Sequence, residues 1–296
     1  LKEIVVISGK GGTGKTSITA ALAGLAAGSV LVDCDVDAAD LHLIAAPTVL
    51  KEQDFIGGRR AVIRPQKCRG CGQCYSLCRF GAVESVEGKT IFRIRESFCE
   101  GCKICVEFCP EQAIDFVETV NGRWFLSQTC WGPMVHAQLG VAQENSGKLV
   151  SLLRKEARRI AEERKLDWIF SDGSPGIGCP VIASLTGADF VLAVTEPTQS
   201  ACHDLLRLLE LVEHFHIPAA VCINKADVNP ELTRQIRHLA GTRNLPVPAE
   251  IPYDSSFTAA QIRAQTIIEY DRGSPASEAV ERLWEWIDTE RIVKRT

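Results

Sequence analysis

Ser8-Gly9-Lys10-Gly11-Gly12-Thr13-Gly14-Lys15-Thr16 is the stretch that decides the fold. It fits G-x-x-x-x-G-K-[ST] and stands in the context that pattern needs. An apolar, mostly β-branched run, Glu3-Ile4-Val5-Val6-Ile7, precedes it, and an alanine-rich helix expected to reach about Ala27 follows. Glycines let the backbone curl so that successive N–H groups point inward at phosphate oxygens, and the helix adds the positive end of its dipole. Lys15 is placed to reach β- and γ-phosphates, and the Thr16 hydroxyl to ligate Mg2+. Gly9, Gly11, Gly12, Thr13, Gly14, Lys15, Thr16 and Ser17 are therefore the candidate nucleotide-binding residues of this loop. A second buried strand at 29–33 completes a β–loop–α–β unit, the opening of a doubly wound α/β domain.

Outward from this unit the alternation continues. A helix is expected at 147–165, strands at 168–171 and 190–195, a helix at about 201–214 and a strand at 219–224. A helix at 234–240, a short strand at 248–252 and a final helix capped by Ser274-Pro275 and reaching about residue 291 complete the pattern. Between these stretches, from about Ile56 to Leu126, the character changes to short segments, frequent glycine and clustered cysteine. The partition is thus 1–55 and 127–296 as one α/β domain, interrupted by a small domain at 56–126.

The 296 residues carry 33 Lys+Arg against 37 Asp+Glu, a net charge of −4, with 46% hydrophobic and 24% charged residues. That balance excludes a disordered chain and argues against a dedicated nucleic-acid binder. The longest apolar run, 20–32, is broken by glycine and serine and falls short of the roughly 18–20 residues that span a bilayer. Leu1 leads straight into a strand, so the expectation is a cytoplasmic protein with no signal peptide and no membrane partner.

Thirteen cysteines, an odd number in a long chain of this kind, make a poor disulfide framework. Eight fall in two runs of one spacing: Cys68-x2-Cys71-x2-Cys74-x3-Cys78 and Cys99-x2-Cys102-x2-Cys105-x3-Cys109-Pro110. This is the bacterial two-cluster ferredoxin spacing, in which the fourth cysteine of each run ligates the other cluster. One [4Fe–4S] site is then Cys68, Cys71, Cys74 and Cys109, and the other is Cys99, Cys102, Cys105 and Cys78. Zinc also takes thiolates in fours but seldom in this order. Arg79 stands where proline follows the last cysteine of the other run, a change in a turn former and not in a ligand. Gly70, Gly72 and Gly101 keep N–H groups close to the sulfurs.

Lys10 extends the resemblance. Lys10-Gly11-Gly12-Thr13-Gly14-Lys15-Thr16 resembles the deviant Walker A motif of the MinD/ParA/Mrp group of P-loop ATPases, which includes the nitrogenase iron protein. The resemblance implies that Lys10 reaches in trans to a partner's ATP. The active form is then a nucleotide-dependent homodimer, or a heterodimer with a related ATPase. Leu31-Val32-Asp33-Cys34-Asp35-Val36-Asp37 is similar to the group's switch I, with Asp35 orienting the attacking water and Asp33 or Asp37 as alternatives. Asp167-Trp168-Ile169-Phe170-Ser171-Asp172-Gly173-Ser174-Pro175-Gly176 resembles its Walker B and switch II, with Asp172 in the Mg2+ shell and Gly173 and Gly176 in a movable loop. Thr195-Glu196-Pro197-Thr198 resembles the strand end that follows. Asn224-Lys225-Ala226-Asp227 falls where the base is recognised: N-K-x-D suits guanine, whereas in this group an asparagine here contacts adenine, helped by a segment similar to Ile251-Pro252-Tyr253-Asp254. The resemblance favours ATP, with GTP as the alternative, and makes Asn224, Lys225 and Pro252 base contacts.

Other positions carry less. Cys179 sits seven residues after Asp172, an offset at which the nitrogenase iron protein holds a bridging cluster, but Glu144-Asn145-Ser146-Gly147 offers no companion cysteine. Cys34, Cys202 and Cys222 read as small core residues. Cys130 and His136 border the cysteine-rich stretch without a mechanism, and His203-Asp204 reads as a helix start. One branch of the group ends in a basic membrane-binding helix. Here Val280, Leu283, Trp284 and Ile287 share a face flanked by Glu278, Glu281, Glu285, Asp288 and Glu290, so docking on its own domain is expected.

The expected protein is an α/β P-loop NTPase with an inserted α+β bacterial-ferredoxin-like domain. Its catalytic set is Lys10, Lys15, Asp35 and Asp172, and its cofactors are ATP, Mg2+ and two [4Fe–4S] clusters. Three functions follow: an ATPase gating electron delivery to a redox partner, an iron–sulfur or metal-cofactor carrier serving an assembly partner, or a positioning ATPase with structural clusters. Ferredoxin spacing favours the first.

Overall fold

Lys2–Ile7 forms the first strand (β1) because its residues serve two layers at once: Ile4 and Val6 face one side, Val5 and Ile7 the other, and all four are fully buried. The computed structural model describes residues 1–26, 28–87, 91–140 and 145–289. Chain order continues with α1 (Lys15–Leu25), β2 (Ser29–Asp33), α2 (Leu41–Ala45) and β3 (Thr48–Ile63). After these come α3 (Gln73–Leu77), β4 (Val83–Ser85), β5 (Phe92–Ile94), α4 (Ile104–Glu107), β6 (Ile114–Gln128) and β7 (Pro133–Leu139). The rest alternates: α5 (Ser146–Arg164), β8 (Trp168–Asp172), α6 (Cys179–Leu185), β9 (Phe190–Thr195), α7 (Gln199–His214), β10 (Ala219–Asn224), α8 (Pro230–Thr242) and β11 (Ala249–Ile251). Three helices close the described chain, α9 (Ser256–Ile262), α10 (Ile267–Tyr270) and α11 (Pro275–Thr289).

The described residues fall into two compact units. One comprises Leu1–Gln53, Trp124–Gln138 and the residues from Ser146 onward; the other lies within Asp54–Arg123 and Leu139–Asn145. In the larger unit the sheet order is β11-β10-β9-β1-β8-β2-β7, and the order continues through β6 to β3. Every pairing from β11 to β7 is parallel, with Val6 opposite Asp172 and Asp33 opposite Asp172 across the central strands. Strand order reverses around β1, and such a switch point leaves a crevice at the carboxyl ends of the strands.

Two apolar layers sandwich this sheet. Ile18 and Leu22 of α1 and Val280, Leu283 and Ile287 of α11 pack with Ile4, Val6, Phe170 and Leu192. On the other face, Leu205, Leu208 and Leu209 of α7, Val181 and Leu185 of α6 and Ile236 of α8 pack with Val5, Ile7, Val191 and Ile223. Trp284 meets Trp168 edge-on, with ring centroids 5.3 Å apart, so the final helix docks on its own domain. The expected extension of that helix to residue 291 lies outside the described residues, as does Ala27. No described helix is long and apolar enough to cross a membrane.

The smaller unit contains the antiparallel pair β4–β5 and the adjoining parts of β3 and β6. Its core is small: Ala61, Ile63, Val83 and Ile114, with six of the cysteines packed on it. The sequence suggested only short segments here, yet β3 has 16 residues and β6 has 15. α8 also starts earlier than its apolar period indicates, because the Asn229 side chain accepts from Leu232 N–H and Pro230 occupies the first turn.

One buried polar knot ties the sheet to the helices. Glu3 on β1 accepts from Arg154 Nε at 2.5 Å, Arg158 Nη2 at 2.7 Å and Ser171 Oγ at 2.9 Å. Arg154 Nη1 in turn donates to the carbonyls of Ala183 and Thr186 at 2.7 Å, fastening the end of α6. Removing one partner of such a buried pair strands the other charge, at a cost of about 3–5 kcal/mol. Glu3→Ala is expected to lose that much stability in chemical denaturation. A loss under about 1 kcal/mol, the range of exposed pairs, would contradict the assignment.

Candidate functional site

The functional side chains gather at the carboxyl ends of the parallel strands. β1 runs into the loop 8–14, in which Gly12 and Gly14 adopt φ of 80° and 89°, a conformation that glycine enters without cost. Gly14 is also sterically required: an added Cβ would lie 2.3 Å from Asn224 Nδ2. Lys15 Nζ lies 2.8 Å from Asp172 Oδ1, 3.3 Å from Thr16 Oγ1 and 3.8 Å from Asp35 Oδ2. Thr16 Oγ1 donates to Asp172 Oδ2 at 2.7 Å, and Thr19 Oγ1 reaches Asp172 Oδ1 at 3.1 Å. Burial works against the Lys15 charge, but Asp172, then Asp35 and Asp33, hold its pKa above the usual lysine value. The loop, Asp35, Asn224, Lys225 and α9 line an open cleft. Within it the buried Thr13 Oγ1 has no hydrogen-bond partner among the described residues, a donor left over for a phosphate oxygen.

Geometry separates the three acids after β2. Asp33 is buried and structural, accepting from the N–H groups of Asp35 and Leu41 at 3.1 and 3.2 Å. Burial, with Asp172 adding, pushes its pKa well above the carboxylate range. Asp37 is exposed, and of the three only Asp35 lines the cleft. Burial raises the Asp35 pKa to about 6, against the pull of Lys15, so its carboxylate is a proton acceptor near neutral pH.

Lys10 does not line the cleft; it is engaged within its own chain. Its Nζ lies 2.9 Å from Glu196 Oε1 and donates to Thr198 Oγ1 and Ser200 Oγ at 3.3 and 3.2 Å. Lys225 Nζ binds the other oxygen of Glu196 at 2.7 Å and the carbonyl of Gly12 at 3.1 Å. Sequence reasoning passed over Glu196 as part of a strand end. The available signal was an acid closing the buried strand β9, in a chain whose loops after β1 and β10 each carry a lysine. Among the described residues, Gly9 and Pro252 also lie off the cleft wall. Gly9 sits against the Asp204 backbone, where a Cβ would be 2.7 Å away, and the neighbours of Pro252, Tyr253 and Asp254, line the cleft instead.

In the smaller unit, all eight clustered cysteines are free thiols, sorted around two hollows. Cys68, Cys71, Cys74 and Cys109 line one. Cys78, Cys99, Cys102 and Cys105 line the other. Each hollow thus takes three thiols from one run and the last thiol of the other. The two runs use the same backbone device, a left-handed residue before the short helix: Gly72 (φ 77°) before α3 and Lys103 (φ 66°) before α4. Lys103 has no glycine to signal that bend. Gly101 has φ 60° and a Cβ there would fall 2.3 Å from the Arg59 carbonyl. Ala113 N–H donates to Cys109 Sγ at 3.3 Å, and burial with neighbouring thiols raises the Cys105 pKa to about 11. Among the described residues, no three His, Cys, Asp or Glu side chains converge on one metal ion. The thiols surround a space instead, the arrangement suited to a cubane whose irons each take one thiolate, and the donor set is wholly sulfur.

The weaker candidates resolve singly. Cys34 and Cys222 are buried, Cys202 is half-buried, and Cys130 is exposed in the turn between β6 and β7. Cys179 is exposed at the start of α6, against Gly147; Glu144 lies outside the described residues. His136 stacks on Phe125 and pairs with Ser127 Oγ at 2.9 Å, and burial, with His42 nearby, lowers its pKa to about 4. It is a neutral packing residue. His203 and Asp204 form an exposed contact at 3.4 Å.

Comparison with known proteins places the fold. The uncharacterized protein MJ0578 of Methanocaldococcus jannaschii is 32% identical over 293 residues, covering 96% of each chain. Two solved structures match in fold. The Aquifex aeolicus MinC:MinD cell division complex has a TM-score of 0.60 at 19% identity, covering 100% of this chain and 99% of that one. The Pyrococcus horikoshii septum site-determining protein MinD with Mg-ADP has a TM-score of 0.56 at 15% identity, covering 99% of both. The family described as CobQ/CobB/MinD/ParA nucleotide binding domain matches residues 4–267, and the chain belongs to that family.

Proposed function

We propose that this chain is a Mg2+-dependent ATPase whose nucleotide-dependent dimerisation is coupled to two [4Fe–4S] clusters, for gated electron transfer to a partner protein. The observation that carries the reading is the sorting of eight thiols into two sets of four around separate hollows, on a chain that also holds a phosphate-binding cleft.

The cleft residues suit hydrolysis by in-line attack. Incoming phosphates compete with Asp172 for Lys15, and once Lys15 turns to the β- and γ-oxygens, Asp172 and Thr16 would be free to hold Mg2+. Bound there, Mg2+ would supply neutralisation of the phosphate charge. Asp35 orients water and accepts its proton as the new O–P bond forms and the bond from the γ-phosphorus to the bridging oxygen breaks, leaving ADP and phosphate. Lys10 completes the charge neutralisation from a second protomer, exchanging Glu196 for that partner's nucleotide. Cys68, Cys71, Cys74 and Cys109 would hold one cluster and Cys78, Cys99, Cys102 and Cys105 the other. When bound, the clusters supply one-electron redox capacity.

The MinD-like fold favours one second reading, a positioning ATPase with structural clusters. A carrier would instead release its clusters intact to an apo-acceptor.

Two experiments test the proposal. Anaerobic reconstitution should give about eight irons per chain, two cubanes' worth. A Cys71→Ala/Cys109→Ala double variant should keep about half, because both thiols serve one cluster; loss of all the iron would show that each run binds its own. For the lysine, Lys10→Ala should abolish ATP-dependent dimerisation in analytical ultracentrifugation. It should also lower kcat by about a thousandfold, the lower end of the range for charge-neutralising residues supplied in trans. Full ATPase activity in Lys10→Ala would sink the trans role.

A further inference from the structure

The sequence Asn224-Lys225-Ala226-Asp227 invites a guanine-reading assignment, in which an aspartate accepts from N1–H and N2–H of the base. The geometry points elsewhere. Asp227 Oδ1 accepts the Tyr253 N–H at 2.6 Å, and among the described residues Asp227 does not line the cleft. Asn224 is committed to the phosphate loop: its Nδ2 donates to the Thr13 carbonyl at 2.8 Å and its Oδ1 accepts the Lys225 N–H at 3.0 Å. Neither residue presents its whole polar edge to a base.

What lines the cleft away from the phosphate loop is α9 and the turn before it. Asp254 accepts the Ser256 N–H at 2.8 Å and so fixes the start of the helix. Phe257 packs against the main core and offers a firm apolar surface. Thr258 and Gln261, three positions apart on one face of α9, complete the wall. The Gln261 amide is half-exposed and has no hydrogen-bond partner among the described residues. A primary amide sets a donor beside an acceptor. That matches the N7 acceptor and N6–H2 donor of adenine, and mismatches guanine, whose N7 and O6 both accept.

We propose that Gln261 is the base-selecting residue of this cleft, reading the N6–N7 edge of adenine, while Asp227 is a positioning residue that pins the Tyr253 loop. The assignment rests on the ATP reading above and identifies the residue that makes the distinction from GTP.

Equilibrium binding of ATP, 7-deaza-ATP and GTP to the full chain tests it. Wild type should bind 7-deaza-ATP, which lacks the N7 acceptor, about tenfold more weakly than ATP, the discrimination expected of one base-edge contact. Gln261→Ala should bind ATP and 7-deaza-ATP alike. Gln261→Lys, a donor matched to N7 and O6, should gain affinity for GTP, a gain that misfolding cannot mimic. An undiminished 7-deaza penalty in Gln261→Ala, or no penalty in wild type, overturns the assignment while leaving ATP binding intact. A wild type that prefers GTP, with Asp227→Asn gaining xanthosine triphosphate binding, overturns the ATP reading itself.

Discussion

The pairing of Lys15 with Asp172 is the constraint around which the rest of the larger unit is arranged. An ammonium and a carboxylate 2.8 Å apart, both almost fully buried, are stable only while each has the other or a replacement. The lysine stands at the start of α1 and the aspartate at the end of β8, so the pair bolts the phosphate loop to the central sheet. A nucleotide can take the lysine only if something else compensates the aspartate, which is why phosphate and divalent cation are expected to enter together. The consequence passes directly to the next residues. Gly173 packs so closely on Ile7 that a Cβ would lie 2.5 Å from its Cγ2, and Gly176 N–H donates to the Ser8 carbonyl at 2.9 Å. A change at Asp172 therefore cannot stay local to it.

Glu196 is the second organiser. One carboxylate holds Lys10 and Lys225, and Lys225 also binds the Gly12 carbonyl, so the loop after β1 and the loop after β10 meet at the end of β9. Hydrogen bonds from both lysines keep the Glu196 pKa below the usual glutamate value despite partial burial, so it stays charged. With Lys10 folded inward, the chain neutralises within itself the charge that the proposed dimer would use across its interface. In the proposed dimer, Glu196 of the same chain and the partner's nucleotide would compete for Lys10, and that competition would give the proposed switch its two states.

Much of this was legible in the sequence, for identifiable reasons. β1, β8, β9 and β10 are short apolar runs buried on both faces, and their edges fall where the sequence placed them to within a residue. The loop 8–16 and the sorting of cysteines depend on local spacing, which sequence records directly. β3 was hidden because its first seven residues are exposed, and Lys51, Glu52, Asp54 and the pair Gly57-Gly58 erase any apolar period. The helices α2, α9 and α10 are too short to display a period of 3.6. The N-K-x-D motif left the role of Asp227 open because a motif specifies residue type and not which partner reaches the side chain first; here the backbone of Tyr253 does. Glu196 was passed over because its partners are 186 and 29 residues away in sequence.

The central claim is that nucleotide state and cluster chemistry belong to one device. The most direct test is a redox titration of the reconstituted chain, followed by electron paramagnetic resonance, with and without Mg-ATP. The account predicts two reducible [4Fe–4S] signals whose midpoint potentials shift when Mg-ATP binds, and a return to the starting values after hydrolysis to ADP. Midpoint potentials that are the same with and without Mg-ATP, in a chain that binds and hydrolyses it, would contradict the coupling and leave a positioning ATPase with structural clusters.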